Sequence, residues 1–235
     1  MNAIQKWFVS LAATAVAVFV AFEWLDRPIS TFARGRLVGQ KTYTELTHIP
    51  DPFIPVAVIV FVLIGLWILA SQPLVKALTT TLLCSISVIM AEAIKNQLKY
   101  AFGRTWPDTW VDNNPSFIRD GVYGFNPFHG GPGYMSFPSG HLSLTCAIVS
   151  VLWIAYPKFR PLYAVVVLAV VVGLVGANYH FLSDIIAGGF VGASTGWIVT
   201  AMWQARQTAQ ADAQARVASA SAPNTANTNG LRSRL

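Results

Sequence analysis

Apolar residues along the chain fall into six blocks separated by polar segments. Crossing the hydrocarbon core of a bilayer takes about 20 apolar residues, and each block qualifies or nearly does. In lipid every backbone polar group must be satisfied within its own segment, which favours helices. The pattern therefore predicts an all-α polytopic membrane protein, a bundle of six transmembrane helices. The blocks are Trp7–Leu25, Phe53–Ser71, Leu74–Ala93, Ser139–Tyr156, Leu162–Asn178 and Leu182–Trp203.

The same pattern predicts the organisation of the chain. Residues 1–203 are expected to form one membrane domain. Residues 204–235 are rich in Ala, Gln, Ser, Thr and Asn without apolar periodicity, which predicts a disordered tail. The first block follows Lys6 and runs into Phe22-Glu23-Trp24 without a clear small-residue cleavage site. We interpret it as a retained span and not as a signal peptide.

Composition agrees with this class of protein. Hydrophobic residues make up 54% of the chain and charged residues only 11%, against about 25% charged residues in soluble domains. The net charge of +6 is modest and no basic run is dense, so nucleic acid is not expected as a partner. Cys84 and Cys146 fall inside apolar blocks, where they are interpreted as packing residues without a disulfide framework.

Two of the polar segments between the apolar blocks are long enough to form structure of their own. Residues 26–51 are compatible with a short helix at the membrane interface or with a solvated loop, and the sequence leaves both open. The loop from Gly103 to Phe137 is rich in aromatic residues, which disordered segments lack. We expect this loop, between helices three and four, to be ordered on the membrane surface, where Trp and Tyr prefer to lie.

The stretch Pro138-Ser139-Gly140-His141 ends this loop and begins an apolar helix. Ser139 is a good N-cap, and Gly140 allows a ligand to approach the backbone. The unpaired N–H groups of the first turn and the helix dipole favour an anion, most naturally a phosphate. His141 adds a group that exchanges a proton near neutral pH. Taken alone, the stretch is equally compatible with an ordinary cap and an incidental histidine.

Antiparallel alternation of the spans predicts which polar residues meet. Span three ends, span four begins, span five ends and span six begins on the same side of the membrane. Lys95 and Lys99 share one helix face with Glu92, either as functional charges or as snorkelling lysines at a helix end. The residues brought to this side are Lys95, Lys99, Arg104, His141, His180 and Asp184.

These residue types suit phosphoryl transfer. Cations hold the phosphate oxygens, one histidine attacks phosphorus and the other protonates the leaving oxygen. Asp184 stands four residues after His180, and a carboxylate bonded to one ring nitrogen leaves the other free to attack. A metal or haem site is the competing use of two histidines and an aspartate. The excess of cations argues against a divalent ion.

With these residues the chain resembles the type 2 phosphatidic acid phosphatase superfamily over about Glu92 to Gly188. The signature of that superfamily has three parts: Lys, six residues, Arg-Pro; then Pro-Ser-Gly-His; then Ser-Arg, five residues, His, three residues, Asp. The second part is matched fully by residues 138–141, and His180 and Asp184 match the third in spacing. Lys99 and Pro107 match the first in register.

Two arginines of the signature are absent. Trp106 stands where the first arginine is expected, and Gly173-Leu174 replaces Ser-Arg. The superfamily binds phosphate oxygens with those arginines, and lysine is not an equal replacement for a planar bidentate fork. The nearest candidates to substitute are Arg104, Lys95 and Arg119.

The resemblance implies a role for each matched residue. His180 is expected to be the nucleophile, Asp184 to orient it, and His141 to be the acid for the leaving group. Phosphate binding is expected from Ser139, Gly140 and Lys99, with Arg104 and Lys95 as additional ligands. The resemblance implies no metal and no cofactor.

A lipid phosphate at the membrane–water boundary is the expected substrate. The resemblance implies phosphatidic acid, phosphatidylglycerophosphate, polyprenyl diphosphates or phosphorylated glycolipids such as lipid A. It also implies a bacterial inner membrane location with the site facing the periplasm. A lipid-to-lipid phosphotransferase, a non-catalytic binder of phosphorylated lipid and, ranked lower, a channel or transporter are the alternatives. The sequence leaves the oligomeric state open.

Overall fold

The computed structural model describes residues 1–110 and 112–221, and the regular elements in that part of the chain are helices. The prediction of an all-α fold is confirmed. Among the described residues, isolated bridges lie in the loop after α5, for example between Arg104 and Phe125. The helices are α1 (Ala3–Val20), α2 (Asp26–Arg36), α3 (Lys41–Thr47), α4 (Phe53–Leu69), α5 (Lys76–Phe102), α6 (Phe117–Asp120), α7 (Gly140–Ala155), α8 (Arg160–Gly176) and α9 (Leu182–Ser221).

Each apolar block of the sequence coincides with a helix, and the protein is an integral membrane protein. Within Ala3–Val20 no residue is buried by the described part of the chain, as expected for a helix that faces lipid. The helices α4 and α7 are shorter, so a count of six spans stays a prediction. The stretches long and apolar enough to cross a membrane are Ala3–Arg36, Lys76–Phe102, Pro157–Gly176 and Leu182–Ser219.

The connection after the first block is helical. A π-helical turn at Ala21–Leu25 joins α1 directly to α2, and α3 follows a short turn. Of the two interpretations left open, the structure therefore supports the helical one. Asp26, Ser30 and Ala33 face inward from α2, which brings this segment against the protein.

Helix α3 packs on α8 through two glycines. A Cβ at Gly173 would lie 2.7 Å from Cβ of Leu46, and one at Gly176 would lie 2.4 Å from the ring of Tyr43. Leu174, between them, is completely buried in a cluster that includes Leu142 of α7. Residues 173–176 of α8 are therefore tightly packed against their neighbours.

Helix α9 packs on α7 through a stripe of small residues. Gly188, Gly192 and Gly196 recur every fourth residue, so they lie on one helix face. A Cβ at these positions would lie 2.4 Å from the carbonyl oxygen of Ser139, 2.1 Å from that of Ser143 and 1.9 Å from Oγ of Ser150. Close approach of backbones through small residues is typical of membrane helix pairs. It fixes the beginning of α7 against the beginning of α9.

In the loop between α5 and α7, the described residues 103–110 and 112–137 pack on the helix ends, and the order expected of the whole loop stays a prediction. Gly103 ends α5 in the left-handed region with φ of 56°, and a Cβ there would lie 1.8 Å from the carbonyl oxygen of Asn126. Stacked and edge-to-face aromatic rings then fold the loop onto the helix ends. The ring pairs are Phe22 with Tyr123 (4.8 Å), Phe102 with Phe137 (4.9 Å) and Tyr123 with Phe181 (5.2 Å).

Helix α9 continues through Ser221, beyond the end of the sixth apolar block at Trp203. The segment for which disorder is predicted is thus helical in its first part, where Ala, Gln and Arg are strong helix formers. Residues 222–235 lie outside the described residues.

Candidate active site

The beginning of α7 is held against α9. Ser139 has extended backbone dihedrals and precedes the first helical residue, Gly140. Its N–H donates to the backbone oxygen of Asp184 at 2.9 Å. A Cβ at Gly140 would lie 3.3 Å from the side chain of Lys95, so glycine lets that ammonium approach the first turn. The free N–H groups of the turn and a lysine form a site for an anion.

Two histidines face each other at this point. The ring centroids of His141 and His180 are 6.1 Å apart. Nδ1 of His180 lies 3.5 Å from Oδ2 of Asp184, longer than an ideal hydrogen bond but pointing the carboxylate at that nitrogen. Burial lowers the pKa of His180 from its ordinary value, and the neighbouring Asp184 only partly opposes that effect. His180 is thus neutral near pH 7, the form in which an imidazole is a nucleophile.

The histidines line a cavity of about 340 Å³ together with two lysines. Nζ of Lys95 donates to Oε1 of Glu92 and Oδ1 of Asn96, both at 3.0 Å, so its charge is partly balanced. Nζ of Lys99 donates to the backbone oxygen of Met135. The described residues around the cavity are Pro50, Asp51, Ile54, Lys95, Lys99, Trp106, Gly140, His141, Leu144 and His180.

Trp106, at the position where the resemblance leads us to expect arginine, forms part of the cavity wall. Its ring lies 5.2 Å from that of His180 and beneath Nζ of Lys99, 5.5 Å from the ammonium. Its Nε1–H donates to the backbone oxygen of Pro132 at 2.7 Å, which fixes the indole. An aromatic face therefore lies beside His180.

Arg104 is completely buried and is not among the described residues that line the cavity. Nη2 donates to Oδ2 of Asp26 at 2.8 Å and Nη1 to Oδ1 of Asp184 at 2.5 Å. Burial works to lower the pKa of Arg104, but the carboxylates of Asp184 and Asp26 together outweigh it and hold the pKa above its ordinary value. Arg104, which the sequence predicted as a phosphate ligand, thus contacts Asp184 and lies apart from the described cavity walls.

Some of the other predicted site residues line the cavity, and some do not. Lys95, Lys99, Gly140, His141 and His180 all line the cavity. Ser139 and Asp184 are fully buried next to it, and Oγ of Ser139 has no hydrogen-bond partner among the described residues. Arg119 lies on the surface of the loop, bonded to Asp120 and Asn113, and does not line the described walls. The phosphate-binding roles of these residues stay predictions.

Two aspartates at the site were missed by sequence reasoning. Oδ1 of Asp51 lies 3.8 Å from Nε2 of His141, and its Oδ2 lies 2.7 Å from Nδ1 of His48. Asp26 lies one layer deeper, beside Arg104. Both belong to the connection between spans one and two. Alternation of the spans places this connection on the same side of the membrane as the histidines, and that signal would have found them.

No group of three or more His, Cys, Asp or Glu side chains in the described residues is arranged to hold a metal ion. The arrangement that is present is a neutral buried imidazole backed by a carboxylate, a second imidazole, two ammonium groups and a helix N-terminus. It can bind a phosphate and carry out nucleophilic substitution at phosphorus with proton transfer to the leaving oxygen.

The sequence profile of the PAP2 superfamily matches residues 74–208, which cover the site helices α5 to α9. The chain belongs to the PAP2 superfamily.

Two curated relatives are named lipid A 1-phosphatase. The relative from Rhizobium etli is 33% identical over 124 residues, covering 51% of this chain and 48% of its own length. The relative from Rhizobium johnstonii is 33% identical over 104 residues, covering 43% and 39%. The chain thus spans less than half the length of these relatives. A solved transmembrane PAP2-type phosphatidylglycerolphosphate phosphatase from Bacillus subtilis aligns over 87% of this chain and 97% of its own, with 15% identity and a TM-score of 0.49.

Proposed function

We propose that the protein is a membrane lipid phosphatase that hydrolyses the phosphomonoester or diphosphate head group of a lipid. The observation that carries the proposal is the pair of imidazoles of His141 and His180, 6.1 Å apart at one cavity that also presents Lys99. Membership of the PAP2 superfamily and the names of the two Rhizobium relatives support the same activity.

In the proposed first step Nε2 of His180 attacks phosphorus. An N–P bond forms and the P–O bond to the lipid breaks, while protonated His141 donates its proton to the leaving oxygen. Asp184 keeps the proton of His180 on Nδ1, which directs the lone pair of Nε2 to the substrate. The oxygens of the phosphoryl group are held by Lys99, by Lys95 and by the first-turn N–H groups of α7.

In the second step water attacks the phosphohistidine. The water gives one proton to the now neutral His141, the N–P bond breaks and inorganic phosphate leaves. Both imidazoles then have their starting protonation states. The cycle consumes one water and releases one phosphate together with the lipid alcohol from a monoester, or the lipid monophosphate from a diphosphate. No metal or cofactor takes part in the proposed cycle.

The proposed substrate class rests on the proposed depth of the cavity. The cavity lies at the ends of apolar helices beside an aromatic loop, and we propose that this is the depth of a lipid head group. We propose phosphatidic acid, phosphatidylglycerophosphate, polyprenyl diphosphate or a phosphorylated glycolipid as substrate. The relatives named lipid A 1-phosphatase favour testing a glycolipid first.

We further propose that the protein lies in a bacterial inner membrane with the cavity facing the periplasm. The positive-inside rule counts Lys and Arg near the span ends. The cavity side has Arg27, Arg34, Arg36 and Lys41, and the opposite side has Lys6, Lys76, Lys158 and Arg160. The two counts are equal, so the proposed orientation is the one that the resemblance to the superfamily implies.

Thiol labelling tests this orientation. In a variant whose Cys84 and Cys146 are replaced by serine, a cysteine at Val122 marks the loop and one at Lys158 marks the other side. A membrane-impermeant maleimide applied to intact spheroplasts is expected to label Val122→Cys only. Labelling of Lys158→Cys only would reverse the orientation.

Phosphate release tests the function. Purified protein in detergent with EDTA is offered a panel of lipid phosphates and diphosphates, beside His180→Ala and the control His129→Ala, whose ring contacts Tyr134 in the loop. We expect release by the wild type and the control, and none by His180→Ala. No release from any single lipid, but transfer of labelled phosphate to a second lipid, would identify a phosphotransferase. Equal release by all three proteins would contradict the role of His180.

A further inference from the structure

A buried charge cluster lies directly behind the Asp184–His180 pair. Its members come from three separate parts of the chain: Asp26 at the beginning of α2, Arg104 after α5, and Asp184 with Ser183 in α9. All four are at most 1% exposed. Because isolated buried charges are strongly unfavourable, such a cluster persists only when its members are paired.

Arg104 bridges the two carboxylates with one guanidinium. Nη2 donates to Oδ2 of Asp26 at 2.8 Å, and Nη1 donates to Oδ1 of Asp184 at 2.5 Å. A planar fork contacts two carboxylates at fixed directions, which a lysine cannot do. The Cζ atom also lies 4.4 to 5.3 Å from four ring centroids, which exclude water from the pair. These rings belong to Phe22, Tyr123, Phe125 and Phe181.

Asp26 is itself held on both oxygens. Oδ1 accepts the N–H of Ser183 at 2.9 Å, and Oδ2 accepts Arg104 together with the hydroxyls of Ser183 and Tyr123. Asp26 thereby links the end of the first apolar helix to the first turn of α9, which presents Asp184. The N-terminal segment is by this contact part of the support of the catalytic helix.

The two oxygens of Asp184 have separate partners. Oδ1 accepts Arg104, while Oδ2 accepts the hydroxyl of Ser136 and the N–H of Phe181 and faces Nδ1 of His180 at 3.5 Å. With Arg104 as its only charged partner, Asp184 would be part of a neutral pair. Asp26 adds a second carboxylate, so two carboxylates and one guanidinium give the cluster a net charge of −1.

We propose that Arg104 and Asp26 are positioning residues of the phosphatase site. Arg104 fixes the carboxylate of Asp184 towards His180. Asp26 holds Arg104 and keeps the cluster negative while the ring of His180, phosphorylated on Nε2 and protonated on Nδ1, carries a positive charge. The inference rests on the proposed function, and it assigns Arg104 to support of the nucleophile in place of direct phosphate binding.

The charges of Asp26 and Arg104 shift the pKa of His180 in opposite directions. Purely structural roles would not produce opposite shifts, so the two variants test the proposal. Loss of the negative charge in Asp26→Asn lowers the pKa of His180, and loss of the positive charge in Arg104→Gln raises it. The charged and titratable groups facing His180 or sharing its cavity are otherwise unchanged. They are Asp184 from α9, Lys95 and Lys99 from α5, His141 from α7 and Asp51 before α4.

The experiment compares the pH dependence of kcat/KM for lipid phosphate hydrolysis by the full-length protein in detergent. The acid limb is expected to move to lower pH in Asp26→Asn and to higher pH in Arg104→Gln. We expect kcat of Asp26→Asn to fall on the order of tenfold to a hundredfold, the range that outer partners of functional histidines show. KM and inhibition by inorganic phosphate are expected to stay within about threefold, because neither residue touches the phosphate.

Arg34→Gln is the matched control. Arg34 and Asp108 also join α2 to the loop after α5, at 2.9 Å, but Arg34 is half exposed and their contact does not include Asp184. The control is expected to keep the wild-type pH profile. Asp26→Glu keeps the negative charge and is expected to have a higher kcat than Asp26→Asn. If Arg104→Gln does not fold, the comparison of Asp26→Glu with Asp26→Asn tests the proposal.

The outcomes separate this inference from the proposed function. Absence of hydrolysis by the wild type contradicts the function and the inference with it. Hydrolysis by the wild type with an unchanged kcat in Asp26→Asn, or acid limbs that move in the same direction in both variants, overturns the inference alone. A large loss of phosphate inhibition in Arg104→Gln would also overturn it, since it would make Arg104 a phosphate ligand.

Discussion

The indole of Trp106 lies 5.2 Å from the imidazole of His180, at the position where the PAP2 signature has a phosphate-binding arginine. The neighbouring lysine is held over the indole face instead. The described walls of the cavity thus include two lysines and an aromatic face beside His180.

Restoring the arginine is expected to strengthen phosphate binding. In Trp106→Arg a planar fork enters the cavity beside Lys99, and inhibition by inorganic phosphate is expected to tighten about tenfold, since one charge-assisted bidentate contact contributes about 1.5–3 kcal/mol before desolvation. The measurement is the inhibition constant of inorganic phosphate for Trp106→Arg, with Trp106→Phe, which keeps an aromatic ring, as the control. Unchanged inhibition in Trp106→Arg would show that position 106 does not reach the phosphate.

The two cavity lysines are expected to contribute unequally. Lys95 is paired with Glu92 at 3.0 Å, whereas the nitrogen of Lys99 donates to a backbone oxygen. Lys99→Met is expected to lower kcat/KM by about 10²–10³, the range that loss of one preorganised transition-state donor gives. Lys95→Met is expected to lower it less. The same steady-state assay measures both, and a larger loss in Lys95→Met would reverse the assignment.

Asp51 is expected to support His141 as the acid. Its carboxylate lies 3.8 Å from Nε2 of His141, and removing the charge in Asp51→Asn makes the protonated imidazole less favourable. A leaving group that needs no proton is then least affected. We expect kcat to fall with an alkyl phosphate and to change little with p-nitrophenyl phosphate. An equal loss with both substrates would indicate a role in binding instead.

The pH profile is expected to reflect burial of His180. Burial holds the pKa of His180 below its ordinary value of 6.5, and the proposed mechanism requires its neutral form. The acid limb of kcat/KM, along which this form is lost, is therefore expected to lie below about pH 6.5. A half-maximal value above about pH 7 for the acid limb would contradict a buried neutral His180.

The α3–α8 contact is expected to be sensitive to a single methyl group. A Cβ at Gly176 would lie 2.4 Å from the ring of Tyr43, so Gly176→Ala is expected to destabilise the protein by about 1–3 kcal/mol. Gly65→Ala in α4 is the matched control, because a Cβ there would have no atom of the described residues within 4 Å and alanine favours a helix. Thermal unfolding in detergent measures both. Equal midpoints would show that α3 does not pack on α8 in this way.

The alternation of apolar spans was sufficient to predict that Lys99, His141 and His180 meet at one end of the bundle. Sequence spacing along helices determines which end of a span a residue occupies, so that inference is reliable. The direction of Arg104 could not be predicted in this way. It depends on the left-handed turn at Gly103 and on the carboxylate of Asp26, which is distant in sequence.

The surroundings of Leu174 could not be predicted from the sequence. Leu174 is completely buried in a cluster with Leu142 and Ile185, and α3 packs closely on the neighbouring Gly173 and Gly176. A short polar helix such as Lys41–Thr47 contains no apolar block from which it could be predicted. It packs on α8 at a pair of glycines. Packing between such elements becomes visible only in three dimensions.

A covalent phosphoenzyme is the most direct test of the central claim that His180 is the nucleophile. Wild-type protein is mixed with lipid carrying a labelled phosphate, quenched in alkali within the first turnover and separated from lipid, beside His180→Ala and His129→Ala. We expect label on the wild type and on His129→Ala that is stable in alkali and lost in acid, as a phosphohistidine is, and none on His180→Ala. Label of the same stability on His180→Ala would contradict the assignment of His180 as the nucleophile.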